Sequence, residues 1–175
     1  MNRGKILFVL CKTAIFTAVV PFTVGLWLPQ RIHWAYSIPA DTSNFGRPQD
    51  QILALVLLLL GCAIYLWCAW DFSVKGMGTP APIDAPKILV ISGLYRYVRN
   101  PMYLGIFCLI ISRAFFFHSL PIVWYLLVVV LLVNLFVRGY EEPHLRNIFG
   151  EQYTDYCHRV PRWFPRRMQS PEPNH

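Results

Sequence analysis

Long apolar segments limit this chain more than any other feature. Four of them are long enough to cross a bilayer, which takes about 17–25 helical residues. Lipid offers no partner to backbone N–H and C=O groups, so a crossing segment has to satisfy them internally, as a helix does. The sequence therefore predicts an all-α transmembrane bundle that forms a single membrane domain over residues 1–175. The four predicted spans are residues 6–28, 52–72, 101–117 and 121–137.

The composition agrees with a membrane protein and argues against a nucleic-acid partner. Hydrophobic residues make up 55% of the chain and charged residues only 14%, whereas soluble domains carry roughly 25% charged residues. A net charge of +7 would suit nucleic acid. The Lys and Arg residues flank the apolar runs, however, and form no single basic stripe. We therefore expect the lipid bilayer, and no nucleic acid, as a partner.

The distribution of positive charge predicts the orientation in the membrane. Twelve Lys and Arg residues lie at the N-terminus, in the second loop and in the tail, against two in the first loop. By the positive-inside rule both termini are cytoplasmic, and residues 138–175 form a cytoplasmic C-terminal segment. The first apolar segment is too long for a signal peptide, is interrupted by Lys12 and lacks a small-residue cleavage site. We expect it to be retained as a span.

Arg113 is the charged residue deepest in the third predicted span. Its side chain could extend toward the far interface, or it could pair with a partner inside the bundle.

The cysteines and histidines do not indicate a metal site. Four of the five cysteines lie in apolar runs, without CxxC spacing, and are expected to be buried, inert thiols. His144, Cys157 and His158 lack a recognised ligand spacing. We expect them on the ordinary surface of the tail.

Three polar clusters fall on the predicted cytoplasmic side, and the first is glycine-rich. Gly76 and Gly78 stand within Gly-Met-Gly-Thr-Pro, directly after the second span. Glycines allow a close approach between backbone and ligand. The alternative is an ordinary turn.

The second cluster precedes the third span. Asn100-Pro101 predicts a helix start, because asparagine caps helices and proline suits their first position. Arg99 lies beside that N-terminus, where an anion is favoured, and Gly105 leaves room for a ligand or a neighbouring helix. Alternatively, the arginines obey the positive-inside rule and the nearby tyrosines, including Tyr103, form an interfacial belt.

The third cluster lies where the fourth span ends. Glu141 and Glu142 follow Arg138 there. They could form an exposed helix exit with an Arg138–Glu142 pair, or bind the hydroxyls or ammonium group of a ligand. Pro143 predicts a kink at this point.

The short link between the third and fourth spans brings two of these clusters together. It makes the two helices antiparallel neighbours, so Arg99 should meet Glu141 and Glu142 at the same depth. A zwitterionic amino-acid group fits such a site, with its carboxylate on Arg99 and its ammonium on a glutamate.

The order of these motifs resembles a known superfamily. Gly-x-Gly, then Arg-Asn-Pro-Met-Tyr-Leu-Gly, then Glu-Glu is similar to the integral-membrane methyltransferases, which include isoprenylcysteine carboxyl methyltransferase and phosphatidylethanolamine N-methyltransferase. The resemblance covers about residues 76–165. Residues 149–156, together with Val-Pro-Arg-Trp at 160–163, resemble the bacterial carboxyl methyltransferases, which implies a bacterial inner (cytoplasmic) membrane.

The resemblance implies S-adenosylmethionine as the methyl donor, with Arg99 and Glu142 as catalytic residues. The implied cofactor-binding residues are Gly76, Gly78, Arg99, Asn100, Pro101, Tyr103, Gly105, Glu141 and Glu142. Asn100 departs from the pattern, which often has histidine, and asparagine cannot act as a base. A thiolate or carboxylate acceptor would need no base, and for an amine acceptor Glu142 could serve.

Two other functions stay open. Sterol-reductase-like enzymes that use NAD(P)H resemble the carboxyl methyltransferases in their C-terminal helices, but they are much longer, and this chain leaves little room for a dinucleotide. A small membrane scaffold without activity is the other alternative. The sequence indicates neither the acceptor, whether lipid or small molecule, nor the oligomeric state.

Overall fold

The regular structure is entirely helical wherever the chain is described. The computed structural model describes residues 3–36, 47–76 and 88–165, so Gly78 and residues 166–175 lie outside it. The all-α prediction is confirmed for these ranges. The elements are α1 (Arg3–Phe22), a π-helical segment (Thr23–Trp27), α2 (Leu28–Tyr36), α3 (Pro48–Val74), a 3-10 turn (Gly93–Arg96), α4 (Pro101–Phe117), α5 (Leu120–Phe136), a second π-helical segment (Val137–Glu141), α6 (Glu142–Phe149) and α7 (Glu151–Arg159).

Among the described residues, three helical stretches are long and apolar enough to cross a membrane: Cys11–Tyr36, Pro48–Val74 and Leu120–Phe149. Helix α4 is apolar but has 17 residues, a length of about 25 Å at the usual helical rise. The four-span arrangement and the side on which the termini lie stay predictions.

The first helical stretch continues past residue 28, the predicted end of the first span, and ends at Tyr36. It continues through Pro29 because the π-helical turn and a neighbouring helix compensate for the proline. The Leu28 N–H bonds to the Thr23 carbonyl, five residues back, which leaves the Val24 carbonyl facing a residue without an N–H. The Tyr125 hydroxyl donates to that carbonyl at 2.9 Å, so the backbone stays satisfied inside the apolar bundle.

Helices α3 and α4 pack closely in opposite directions. A Cβ atom on Gly61 would lie 2.8 Å from the Gly105 carbonyl oxygen, and one on Gly105 would lie 3.0 Å from the Gly61 carbonyl oxygen. Further along, the Ser112 hydroxyl donates to the Ala54 carbonyl at 2.7 Å. Small residues at such a crossing allow two backbones to approach closely. Gly105 therefore faces a neighbouring helix, one of the two roles that the sequence left open.

Helix α5 turns back beside α4, as predicted. A left-handed residue, His118 (φ 48°), ends α4, and α5 begins two residues later. Helices α3, α4 and α5 share one buried core, formed by Tyr65, Ala69, Ile106, Ile110, Ile122 and Val129. The start of α4 and the end of α5 consequently lie at the same end of the bundle. Helix α1 reaches this end of the bundle too, through a 2.8 Å hydrogen bond between the Thr13 and Ser73 hydroxyls.

The fourth predicted span does not stop at residue 137. Helix α5 runs through the second π-helical segment into α6, so the C-terminal segment predicted to begin at 138 starts inside a continuous helical stretch. Within that segment the Glu142 N–H bonds to the Val137 carbonyl. Pro143 falls in the first turn of α6, where the wider π-helical turn accommodates it.

Arg113 extends along its own helix. It is half-buried, and its guanidinium carbon lies 5.8 Å from the centre of the Phe117 ring, one turn nearer the helix end. Its Nε is buried without a hydrogen-bond partner. These contacts favour a side chain that extends toward the helix end.

Replacing Gly61 with alanine should destabilise the bundle by about 1–3 kcal/mol, because the added methyl group meets the α4 backbone. Thermal unfolding in detergent would measure the loss. Gly139→Ala is the matched control, since a Cβ at Gly139 has no neighbour within 4 Å. Equal unfolding midpoints for the two variants would contradict the close contact.

Candidate active site

A cavity of about 340 Å³ opens at the end of the bundle where α4 begins and α5 ends. This volume lies in the range of small-molecule sites, about 300–1,000 Å³. Its walls are mostly apolar and aromatic, with four polar side chains from the predicted clusters. The lining residues are Phe16, Val20, Tyr65, Phe72, Tyr95, Arg99, Asn100, Met102, Tyr103, Ile106, Phe136 and Glu141.

Beside the cavity, Glu142 lies between two arginines. Arg162 donates from Nε to Oε1 at 2.6 Å and from Nη2 to Oε2 at 2.8 Å. The Arg99 Nη1 atom lies 3.2 Å from Oε1 of the same carboxylate. Glu142 is only 6% exposed, and a buried carboxylate is tolerated when it is paired in this way. The two-pronged hydrogen bond to Glu142 also raises the pKa of Arg162 above its ordinary value.

Arg99 connects this ion pair with the cavity. Its Nη1 also donates to the Cys157 sulfur, while its Nε is buried and has no hydrogen-bond partner among residues 3–36, 47–76 and 88–165. Arg99 lines the cavity as well. A buried donor without a partner is costly, so a ligand anion that reached this nitrogen would be favoured.

Glu141 and Tyr103 form the second polar pair of the cavity. The Tyr103 hydroxyl donates to Glu141 Oε2 at 2.8 Å, and both residues line the cavity. This hydrogen bond fixes one carboxylate oxygen of Glu141. Arg99 and Glu141, which the sequence predicted to meet at the same depth, thus line the same cavity.

Residues 160–163, which we call the C-terminal strap, contact three of the residues that line the cavity. The Arg99 N–H donates to the Pro161 carbonyl at 2.9 Å. The Asn100 side chain precedes α4 but makes no capping hydrogen bond. Its Nδ2 instead donates to the Arg162 carbonyl at 3.3 Å. The predicted cap residue therefore ties the strap to the start of α4.

Trp163 completes the strap. Its indole N–H donates to Asn134 Oδ1 at 3.3 Å. Its ring centre lies 6.4 Å from that of Tyr103, edge-on, and 6.1 Å from that of Phe107. Aromatic pairs at such distances are attractive, so Trp163 packs against the helix that carries Tyr103.

Tyr95 is held from the tail and the bundle together. The Tyr156 hydroxyl of α7 donates to the Tyr95 carbonyl at 2.7 Å. Burial raises the pKa of Tyr95 well above its ordinary value, so the phenol in the cavity wall stays neutral and can donate a hydrogen bond at neutral pH.

The predicted site residues divide into three groups. Arg99, Asn100, Tyr103 and Glu141 line the cavity. Glu142 does not line it but contacts Arg99, which does. Pro101 and Gly105 are buried in the first turns of α4, and Gly76 is buried after α3, but these three do not line the cavity. Gly78 lies outside the described residues.

One expectation for the tail is wrong. Cys157 is half-buried and contacts Arg99, so it is no ordinary surface residue. Of the two alternatives for Glu142, the structure does not have the exposed exit paired with Arg138, because Glu142 is buried against Arg162 and Arg99. The tail folds back onto the bundle because a buried carboxylate requires nearby cations. In the described ranges no group of His, Cys, Asp or Glu is arranged to hold a metal ion.

Sequence reasoning missed Arg162 and Trp163 as parts of the site. It noted them only through the resemblance of residues 160–163. The one physical signal was Glu142 itself, a carboxylate at the end of an apolar helix, which requires a nearby cation if it is buried. Which of the tail arginines would serve it depends on how the tail folds back.

Comparison with known proteins agrees with the motif order. A profile of the phospholipid methyltransferase family matches residues 50–152, a range that holds Arg99 and both glutamates but ends before the strap. The chain is also 31% identical over 83 residues to the Delta(14)-sterol reductase LBR of Gallus gallus. That alignment covers 46% of this chain and only 13% of the reductase. No solved structure matches the chain significantly.

Trp163→Ala should loosen the strap, because it removes the indole hydrogen bond and the ring contacts with Tyr103 and Phe107. Trypsin should then cleave faster after Arg159 and Arg162 in the detergent-solubilised protein, as followed by mass spectrometry. Phe164→Ala is the control, since Phe164 is 81% exposed. Unchanged cleavage in Trp163→Ala would show that the strap is not held by this residue.

Proposed function

The chain belongs to the phospholipid methyltransferase family, and we propose that it transfers a methyl group from S-adenosylmethionine to a lipophilic or small acceptor. We further propose that the reaction takes place at the cytoplasmic face of a four-span protein in the bacterial inner membrane. The observation that best supports this proposal is the cavity lined by Arg99, Asn100, Tyr103 and Glu141.

The chemistry of the lining fits an amino-acid end of the donor. Within the described part of the chain the buried Arg99 Nε has no hydrogen-bond partner, and a carboxylate is the group that such a donor binds best. Glu141 has one oxygen held by Tyr103, and its carboxylate can accept further hydrogen bonds from an ammonium group or from ribose hydroxyls.

The aromatic walls fit the remainder of the donor. Tyr65, Phe72, Tyr95 and Phe136 surround the polar groups. Aromatic faces attract cations and stack on planar rings, so they suit a sulfonium centre and an adenine base. When bound, S-adenosylmethionine supplies a methyl group already activated by the sulfonium, so the protein has to position the reactants and exclude water.

We assign different roles to the two glutamates. Both oxygens of Glu142 are engaged by Arg162, and one of them also by Arg99. This arrangement keeps Glu142 occupied inside the protein and makes it poorly suited to a base, the role the sequence left open for it. Glu141 faces the cavity and is the carboxylate that a ligand would meet.

The cavity wall also bears on the acceptor. Phe16 and Val20 of α1 and Phe136 of α5 contribute apolar surface, which suits the hydrocarbon part of a lipophilic acceptor. Its nucleophilic group could be a carboxylate, a thiol or an amine. Radiolabelled donor incubated with membrane lipid extracts and purified protein would identify the acceptor class.

A second candidate function follows from the similarity to the chicken sterol reductase. It requires a dinucleotide in place of S-adenosylmethionine, although the aligned part is only 13% of that enzyme. A scaffold without activity would not require a buried cation with a free donor beside a cavity.

The central test is binding of S-adenosylhomocysteine to the full-length protein in detergent, measured by calorimetry. Arg99→Ala and Glu141→Gln should each weaken binding about tenfold or more, because each removes a charge-assisted hydrogen bond. Arg96→Ala is the matched control, since Arg96 is exposed on the preceding turn. Absence of binding to the wild type, or unchanged affinity in both site variants, would contradict the proposal. Binding of NADPH in its place would favour the reductase function.

A further inference from the structure

The two adjacent glutamates are engaged by different partners, and Arg162 accounts for the difference. Glu141 lines the cavity and accepts from Tyr103 at 2.8 Å. Glu142 does not line the cavity and is held by Arg162 through two hydrogen bonds. Arg162 thus occupies both oxygens of the carboxylate that lies closest to Arg99.

Arg162 holds Glu142 more firmly than Arg99 does. Its contacts of 2.6 and 2.8 Å form the two-pronged geometry that guanidinium and carboxylate prefer. Arg99 makes one contact, at 3.2 Å. Among the described residues the Arg99 Nε has no hydrogen-bond partner, while Arg162 engages both oxygens of Glu142.

The backbone of the strap fixes the position of Arg162. Its carbonyl accepts from the Asn100 side chain, and the preceding carbonyl accepts from the Arg99 N–H. Arg162 is therefore anchored to Arg99 and Asn100, the two residues that precede α4.

The consequence follows from the cost of a buried, unpaired carboxylate. Without Arg162, Glu142 would take the nearest remaining guanidinium, that of Arg99, in a two-pronged pair. The Nε of Arg99 would then donate to Glu142 and would no longer be available to a ligand. We propose that Arg162 is a positioning residue of the donor site, which holds Glu142 so that Arg99 stays available to the donor carboxylate. This inference rests on the proposed function.

The test compares Arg162→Gln with the double variant Glu142→Gln/Arg162→Gln. The single variant should raise the Kd for S-adenosylhomocysteine about tenfold, since Glu142 then competes for Arg99. Removing the competing charge in the double variant should restore the Kd to within about threefold of wild type. A merely structural role for Arg162 predicts no such rescue.

Arg159→Gln is the matched control, because Arg159 is an exposed arginine of α7, and it should leave the Kd unchanged. If Arg162→Gln does not fold, Arg162→Lys and Glu142→Gln/Arg162→Lys replace the pair, since lysine keeps the charge but cannot form the two-pronged contact. Wild-type binding with an unchanged Kd in the single variant, or a double variant as weak as the single one, overturns this inference alone. Absence of binding in the wild type overturns the proposed function, and this inference with it.

Discussion

The pairing of one buried carboxylate with two arginines organises the end of the bundle. Glu142 is part of the α5–α6 stretch, Arg99 precedes α4, and Arg162 belongs to the strap. A buried charge without a partner would be strongly destabilising, so the three segments have to meet. The tail is consequently not a free cytoplasmic extension. It packs against the helices that line the cavity, with Trp163 and the strap carbonyls providing further contacts.

Helical geometry explains why two neighbouring glutamates meet different groups. Successive residues of a helix point about 100° apart, so side chains adjacent in sequence face different surroundings. Glu141 is turned to Tyr103 and the cavity, and Glu142 to Arg162. The second π-helical segment ends between them. Such segments are common at functional sites because they shift the direction of the side chains that follow.

Close packing between helices determines where the cavity lies in the bundle. The contact of Gly61 with Gly105 draws α3 and α4 together, and α5 returns along α4 after a tight left-handed turn at His118. The remaining space lies at the end where α1, α3, α4 and α5 contribute aromatic side chains. Gly105 therefore acts on the site indirectly, by allowing the helices that line it to approach each other.

Periodic and local features were readable from the chain. Long apolar runs predicted helices, Asn-Pro predicted the start of α4 at residue 101, and a short link predicted that α4 and α5 are antiparallel. The proximity of Arg99 to Glu141 and Glu142 followed from these. Three features depended on contacts between distant segments. The continuation past Pro29 depends on Tyr125, the role of Asn100 depends on the strap carbonyl, and the choice of Arg162 among the tail arginines depends on how α7 folds back. Sequence spacing carries no information about such partners, because they lie 62 or more residues away in two of these cases and 20 residues away in the third.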